Sequence, residues 1–164
     1  MRLSSKLAVL ALGAFVTASA AGAAPAFKGK VCALVSAKQA TAIAGVSAKC
    51  TNAKPSPGPG STIYIGNWAG LTSRSPTLQV TVADYTDAGA LKLARQNLKQ
   101  GLPGPPKKVT GIGSAAYEAK GGLSVGIHVS VGTYIAYISL SAVGSAPKSP
   151  AVLEPVAKAV AAHL

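Results

Sequence analysis

The sequence predicts an α+β fold: a single antiparallel sheet of about five strands with helices packed on one face, in the order α-β-β-α-β-β-β-α. Three observations carry this. Leu123 to Val131 alternates without a fault, with Leu123, Val125, Ile127, Val129 and Val131 on one side and Ser124, Gly126, His128 and Ser130 on the other. That is the two-residue period of a half-buried strand. Gly132-Thr133 has the length of a hairpin connection, and Tyr134 to Ala142 returns with the same alternation. Short strands patterned this way suit an antiparallel sheet whose polar face stays open to water.

The remaining elements follow in order. Ser36 with Gln39 three residues later forms a capping box, so a first helix runs through Ile43 and stops at Gly45. Lys54 to Gly60 carries three prolines and two glycines, which places it in a loop. Ile63 to Trp68 and Thr77 to Tyr85 are strands; in the second, Leu78, Val80 and Val82 alternate with Gln79, Thr81 and Ala83. Asp87 caps a helix over Ala88 to Gln100, ended by Gly101. Leu91, Ala94 and Leu98 form its apolar stripe, and Lys92, Arg95 and Lys99 its basic one. After a second loop at Leu102 to Pro106, Ile112 to Ala119 is the third strand. Gly111 and Gly113 imply a bend where the backbone runs close to a helix. The last helix lies within Pro150 to Leu164, and Pro155 makes it either begin at Glu154 or kink there.

The N-terminus has the features of an export signal. Arg2 and Lys6 precede an apolar run, Leu7 to Val16, and small residues then offer cleavage after Ala20 or Ala24. Residues 1–24 therefore read as a signal peptide and 25–164 as one exported domain, secreted or periplasmic, with no membrane span once the leader is cleaved. Losing Arg2 and Lys6 leaves fourteen basic residues against Asp84, Asp87, Glu118 and Glu154, a balance of +10. Such a charge draws an exported chain to anionic lipid or wall polymer. Nucleic acid is not an expected partner, because no basic stripe interleaved with aromatics is present. Cys32 and Cys50 are the only cysteines, an even count for an oxidising compartment, and are expected to pair as a structural disulfide.

In order along the chain, Cys32-Ala33-Leu34-Val35-Ser36, Gly45, Cys50, Trp68, Val109-Thr110-Gly111-Ile112-Gly113-Ser114-Ala115-Ala116-Tyr117 and Val156 to Leu164 resemble a group of small exported domains of bacterial cell envelopes. These domains are common in actinobacteria, and related forms occur in envelope lipoproteins and in the extracellular sensor domains of kinases. The resemblance spans nearly the whole exported part, and Gly111 to Tyr117 is its most specific segment. It implies an extracytoplasmic binding or sensing module on an α+β sheet. The chain lacks a lipidation cysteine, so membrane tethering is not implied, and the group offers no catalytic residues to carry over.

Candidate chemistry is sparse. Gly111 and Gly113 lack the third glycine and the following helix of a dinucleotide loop. No metal-ligand spacing occurs, and no cofactor is expected. His128 has Ser124 and Ser130 on its own strand face, Ser139 or Ser141 one strand over, and Asp84 to orient it, which is the material for a small hydrolase. No nucleophile elbow accompanies it. The expected function is therefore a non-enzymatic binding or accessory domain of the envelope. Its candidate ligand face is Gln79, Tyr85, Ser124, His128, Ser130 and Tyr137, with His128 facing solvent. Two alternatives stand beside it: a cationic protein that holds anionic surfaces through Lys92, Arg95, Lys99, Lys107 and Lys108, and the hydrolase centred on His128.

Overall fold

The computed structural model describes residues 27–44, 49–69, 76–142 and 149–164. The expected signal peptide and the stop of the first helix at Gly45 lie outside the described residues. Eight strands form one antiparallel sheet: β1 (Cys50–Asn52), β2 (Ser56–Gly58), β3 (Ser61–Trp68), β4 (Thr77–Tyr85), β5 (Lys107–Val109), β6 (Ala115–Lys120), β7 (Ser124–Val131) and β8 (Tyr134–Ser141). Their spatial order is β1-β3-β4-β8-β7-β6-β5, and β2 pairs with β3. Among the described residues three helices accompany them, α1 (Ala37–Ala44), α2 (Ala88–Gln96) and α3 (Glu154–His163).

The sheet is larger than the five strands expected, and the three additional ones are each three residues long. β2 falls in the segment expected to be loop. It pairs Pro57 with Thr62 at the edge of β3, where a proline costs the sheet little because only one side is paired. β5 lies at the opposite edge, and its two lysines shield that edge from a further strand. The five longer strands match their expected spans closely, but β6 begins at Ala115 rather than Ile112. Gly111 and Gly113 have φ of 76° and 57°, and a Cβ on Gly113 would stand 2.4 Å from the Ser130 carbonyl oxygen. This bend therefore presses on β7, not on a helix.

Register sorts the strand residues into two faces. On one, Val80, Ile138 and Ile127 form a row across β4, β8 and β7, flanked by the rows Leu78-Leu140-Val125 and Val82-Ala136-Val129. All nine are buried, together with Leu153, Val156, Ala157 and Val160 from the C-terminal segment and Val31, Leu34, Val35 and Ala40 from the N-terminal one. Each such aliphatic side chain larger than alanine contributes about 1.5–3 kcal/mol when fully buried. α1 starts as expected: the Gln39 amide donates to Ser36 Oγ at 3.2 Å, and Gln39 Oε1 accepts from the Ser36 amide at 2.9 Å. α3 starts at Glu154 behind a single 3-10 turn, Pro150–Leu153, which places Pro155 in the first helical turn where its missing N–H is harmless.

Cys32 and Cys50 are bonded, with Cα atoms 5.7 Å apart. The bridge ties the turn Val31–Ala33 to β1, and the Cys32 amide adds a bond to Asn52 Oδ1 at 3.0 Å. Val31, beside the cystine, packs against Gly66, where a Cβ would come within 2.9 Å of it. A closed disulfide fits an oxidising, extracytoplasmic setting. No helix among the described residues is long and apolar enough to cross a membrane.

One expectation about the helices is overturned. α1 and α3 cover the apolar face, but α2 crosses the other one. Arg95 of α2 donates through Nε to Ser130 Oγ at 3.2 Å, and Leu98 just after α2 accepts from the His128 ring. Ser130 and His128 belong to the face opposite Ile127 and Val129. Leu98 is 3% exposed yet lies outside the main apolar cluster. The connection between β4 and β5 must reach the far edge of the sheet, passing β8, β7 and β6. It does so across the face that sequence patterning leaves open.

Candidate functional site

The outer face is ordered by the same register. Its middle row runs Ile65, Thr81, Tyr137, His128, Tyr117 and Lys108 across six strands. All six residues of the expected ligand face lie on this side, but they do not form one cluster. Tyr85 ends β4 near the β7–β8 hairpin, where its amide donates to the Thr133 carbonyl, while Ser124 begins β7 at the opposite end. Gln79 is held by Asn67, Nε2 to Oδ1 at 2.9 Å. His128, Ser130 and Tyr137 do come together, beneath the crossing chain.

α2 brings the crossing chain onto these residues. Asp87 caps it, accepting the Ala90 amide at 2.6 Å. The helix was expected to reach Gln100 and ends instead at Gln96, because the Asn97 amide turns onto the carbonyls of Leu93, Ala94 and Arg95. The Leu98 amide reaches only Arg95, three residues back. This tightened end turns the Leu98 carbonyl away from the helix ladder and onto the sheet, where His128 Nδ1 meets it at 2.5 Å. Nδ1 therefore carries the proton and donates. Beyond it, Pro103 and Gly104 pass backbone to backbone against Lys120 and Gly121: a Cβ on either glycine would stand 2.1 Å from a carbonyl oxygen of the other segment.

His128 is thus not the solvent-facing residue its strand position suggests. Its ring is half-buried and packs edge-on to Tyr137 with centroids 4.6 Å apart. Burial lowers its pKa below 6.5, against a smaller raising effect from the Leu98 bond. Burial likewise raises the Tyr137 pKa, which a bond from Ser139 partly offsets. Two other members of the hydrolase set are engaged elsewhere: Ser130 Oγ accepts from Arg95, and Asp84 accepts from Thr133 Oγ1 at 3.2 Å.

The five candidate anion-binding residues are split between surfaces. Lys92 and Arg95 line a cleft of about 410 Å³ along α2 with Ala88, Leu91 and Gln96. Arg95 is also tied inward, to Ser130 and to the Gly132 carbonyl. Lys99 lies beyond the shortened helix, its Nζ 5.1 Å from the centroid of the Tyr117 ring, a cation–π contact. Lys108 is the cross-strand partner of Tyr117 on the outer face, whereas Lys107 pairs with Glu118 on the other.

Sequence reading missed two features. One is the cleft, which requires knowing where α2 lies. The other is Glu118, 6% exposed with Oε2 lacking a hydrogen-bond partner. Its place in the alternation beside Ala116 was the available signal. No family model matches the chain, and neither a curated protein nor a solved structure matches it.

Proposed function

We propose that the chain is a non-enzymatic, extracytoplasmic binding domain of the cell envelope that holds a small anionic component in the cleft along α2. The carrying observation is the lining of that cleft: two cations and an amide beside Leu91 and Ala88, with no acidic side chain among its described residues. Its volume falls within the range of small-molecule sites. Ala88 and half-buried Leu91 beside Lys92 and Arg95 on one face of α2 suit an amphiphilic anion, a phosphate or carboxylate joined to a short hydrocarbon. The resemblance to envelope domains agrees with this reading. The partners of Ser130 and Asp84 weigh against the hydrolase reading, since Ser130 Oγ accepts from Arg95 and Asp84 accepts from Thr133 rather than orienting the His128 ring.

The test uses a monomeric short-chain phosphatidylglycerol as the probe, with amide shifts of the exported domain as the readout. Shifts over residues 88–96 that vanish at high salt and weaken at least fivefold with Lys92→Glu are expected. Lys92 is chosen because Arg95 also holds the fold. Shifts centred instead on Lys99, Lys107 and Lys108 would favour the plain cationic-surface reading. An absence of shifts at low salt would reject both.

A further inference from the structure

α2 is unusual among the helices in burying none of its residues. Besides the backbone contact of Pro103 and Gly104 with Lys120 and Gly121, what seats it and the following segment, residues 97–106, is a small number of side-chain contacts with the outer face. Arg95 reaches Ser130 and the Gly132 carbonyl, Leu98 is buried, Lys99 caps Tyr117, and His128 donates to the Leu98 carbonyl. His128 stands in the middle of this set. It is also the member whose charge changes between pH 5 and 8.

We infer that His128 is a pH-sensitive latch for this strap: taking up a proton on Nε2 puts a cation beneath α2 and shifts the strap from seated to released. Burial of the ring favours that outcome, and the Leu98 carbonyl opposes it. From α2 and the strap come Arg95 and Lys99, both cationic. Tyr137 from β8 and Tyr117 from β6 flank the ring in register, and Lys108 of β5 stands one strand beyond. Of the acids, Asp84 bonds to Thr133 and Glu118 occupies the opposite face, so no carboxylate meets the ring. The charged ring would donate more strongly to Leu98, but loss of hydration outweighs that gain, and the folded pKa lies below 6.5.

The sign follows from linkage. Above pH 6.5 the ring is neutral whether the strap is seated or free, and seating is at full strength. As pH falls below 6.5 the released form protonates first, moving the balance toward release by up to about tenfold per pH unit, until the seated ring protonates as well. The latch stands independently of the binding proposal. Where that proposal holds, it makes the cleft responsive to acid, because α2 is the cleft wall.

The experiment is amide hydrogen exchange on the ligand-free domain, corrected for intrinsic rates, at pH 7.5 and 5.0. Protection of residues 97–104 should fall severalfold or more at pH 5.0 while Ile127 and Val129 in β7 stay protected. His128→Gln, whose amide still donates to Leu98 but does not titrate, should abolish the difference. Equal protection at the two pH values, or a difference that survives in His128→Gln, overturns the latch. If that variant fails to fold, the His128 ring is titrated in the unaltered protein, where a midpoint at or above 6.5 overturns it. No ligand enters the measurement, so its result and that of the binding test are separable.

Discussion

Removing the disulfide by Cys32→Ser with Cys50→Ser tests the N-terminal packing most directly. The bridge joins positions 18 apart, and closing a loop of that length restricts the unfolded chain by about 3 kcal/mol. Neither cysteine is fully buried, so the serines add little penalty of their own. With an unfolding entropy of about 2.1 cal/mol/K per residue over about 140 residues, the loss should appear as a Tm lower by about 10 °C. Trp68 supplies the assay. It is the sole tryptophan, 1% exposed, and it pairs in register with Cys50 at the end of β3. Urea unfolding followed by its fluorescence should give a lower midpoint with a native-like starting spectrum. A loss below about 1 kcal/mol would refute the argument, for it would mean that the unfolded chain already holds these segments together. A red-shifted Trp68 before any urea is added would refute a different part: the turn at Val31 would then depend on the bridge for its seat on β3.

Two other substitutions probe the strap and the core. Gly121→Ala puts a methyl 2.1 Å from the Pro103 carbonyl oxygen, a backbone contact that cannot rotate away, and should cost about 1–3 kcal/mol by thermal unfolding while raising hydrogen exchange in residues 97–104. Glu118→Met replaces a buried carboxylate that has an unpartnered oxygen, and should be neutral or stabilising by about 1 kcal/mol or more in urea unfolding; a clear destabilisation would show that the carboxylate has a partner in solution.

β4, β7 and β8 were legible because each alternates over at least eight residues, whereas β3 and β6 hold no such clean period: Ile63 and Ile65 of β3 face outward and Glu118 of β6 lies on the apolar face. The caps of α1 and α2 were legible for a local reason: Ser36 with Gln39, and Asp87, satisfy amides within their own first turn. β1, β2 and β5 were not, since three residues hold no period and Pro57 argues against pairing. The face taken by α2 was also hidden. The stripe of Leu91, Ala94 and Leu98 says that one side of the helix meets protein, yet it is the same stripe whichever side of the sheet it meets. Strand order requires the crossing, because β8, β7 and β6 separate β4 from β5, and it leaves open which face the crossing takes. The candidate ligand face inherits this. Alternation places His128, Ser130 and Tyr137 together, but their burial comes from a crossing whose path no local pattern encodes.

The strand order also sets a timetable for assembly. β3 and β4 are near neighbours in sequence and so are β7 and β8, so each pair can form by closing a short loop. The contact that makes them one sheet is β4 against β8, which brings Leu78 opposite Leu140. Until β8 exists, β4 presents a whole row of unpaired amides and carbonyls, and Leu78, Val80 and Val82 lack half their cover. Joining distant segments is the slow event in sheet proteins, since the entropy of a long closure is spent before any contact repays it. The N-terminal half of this protein is thus expected to wait, disulfide closed and hairpin formed, for a seam that only the last third of the chain can supply.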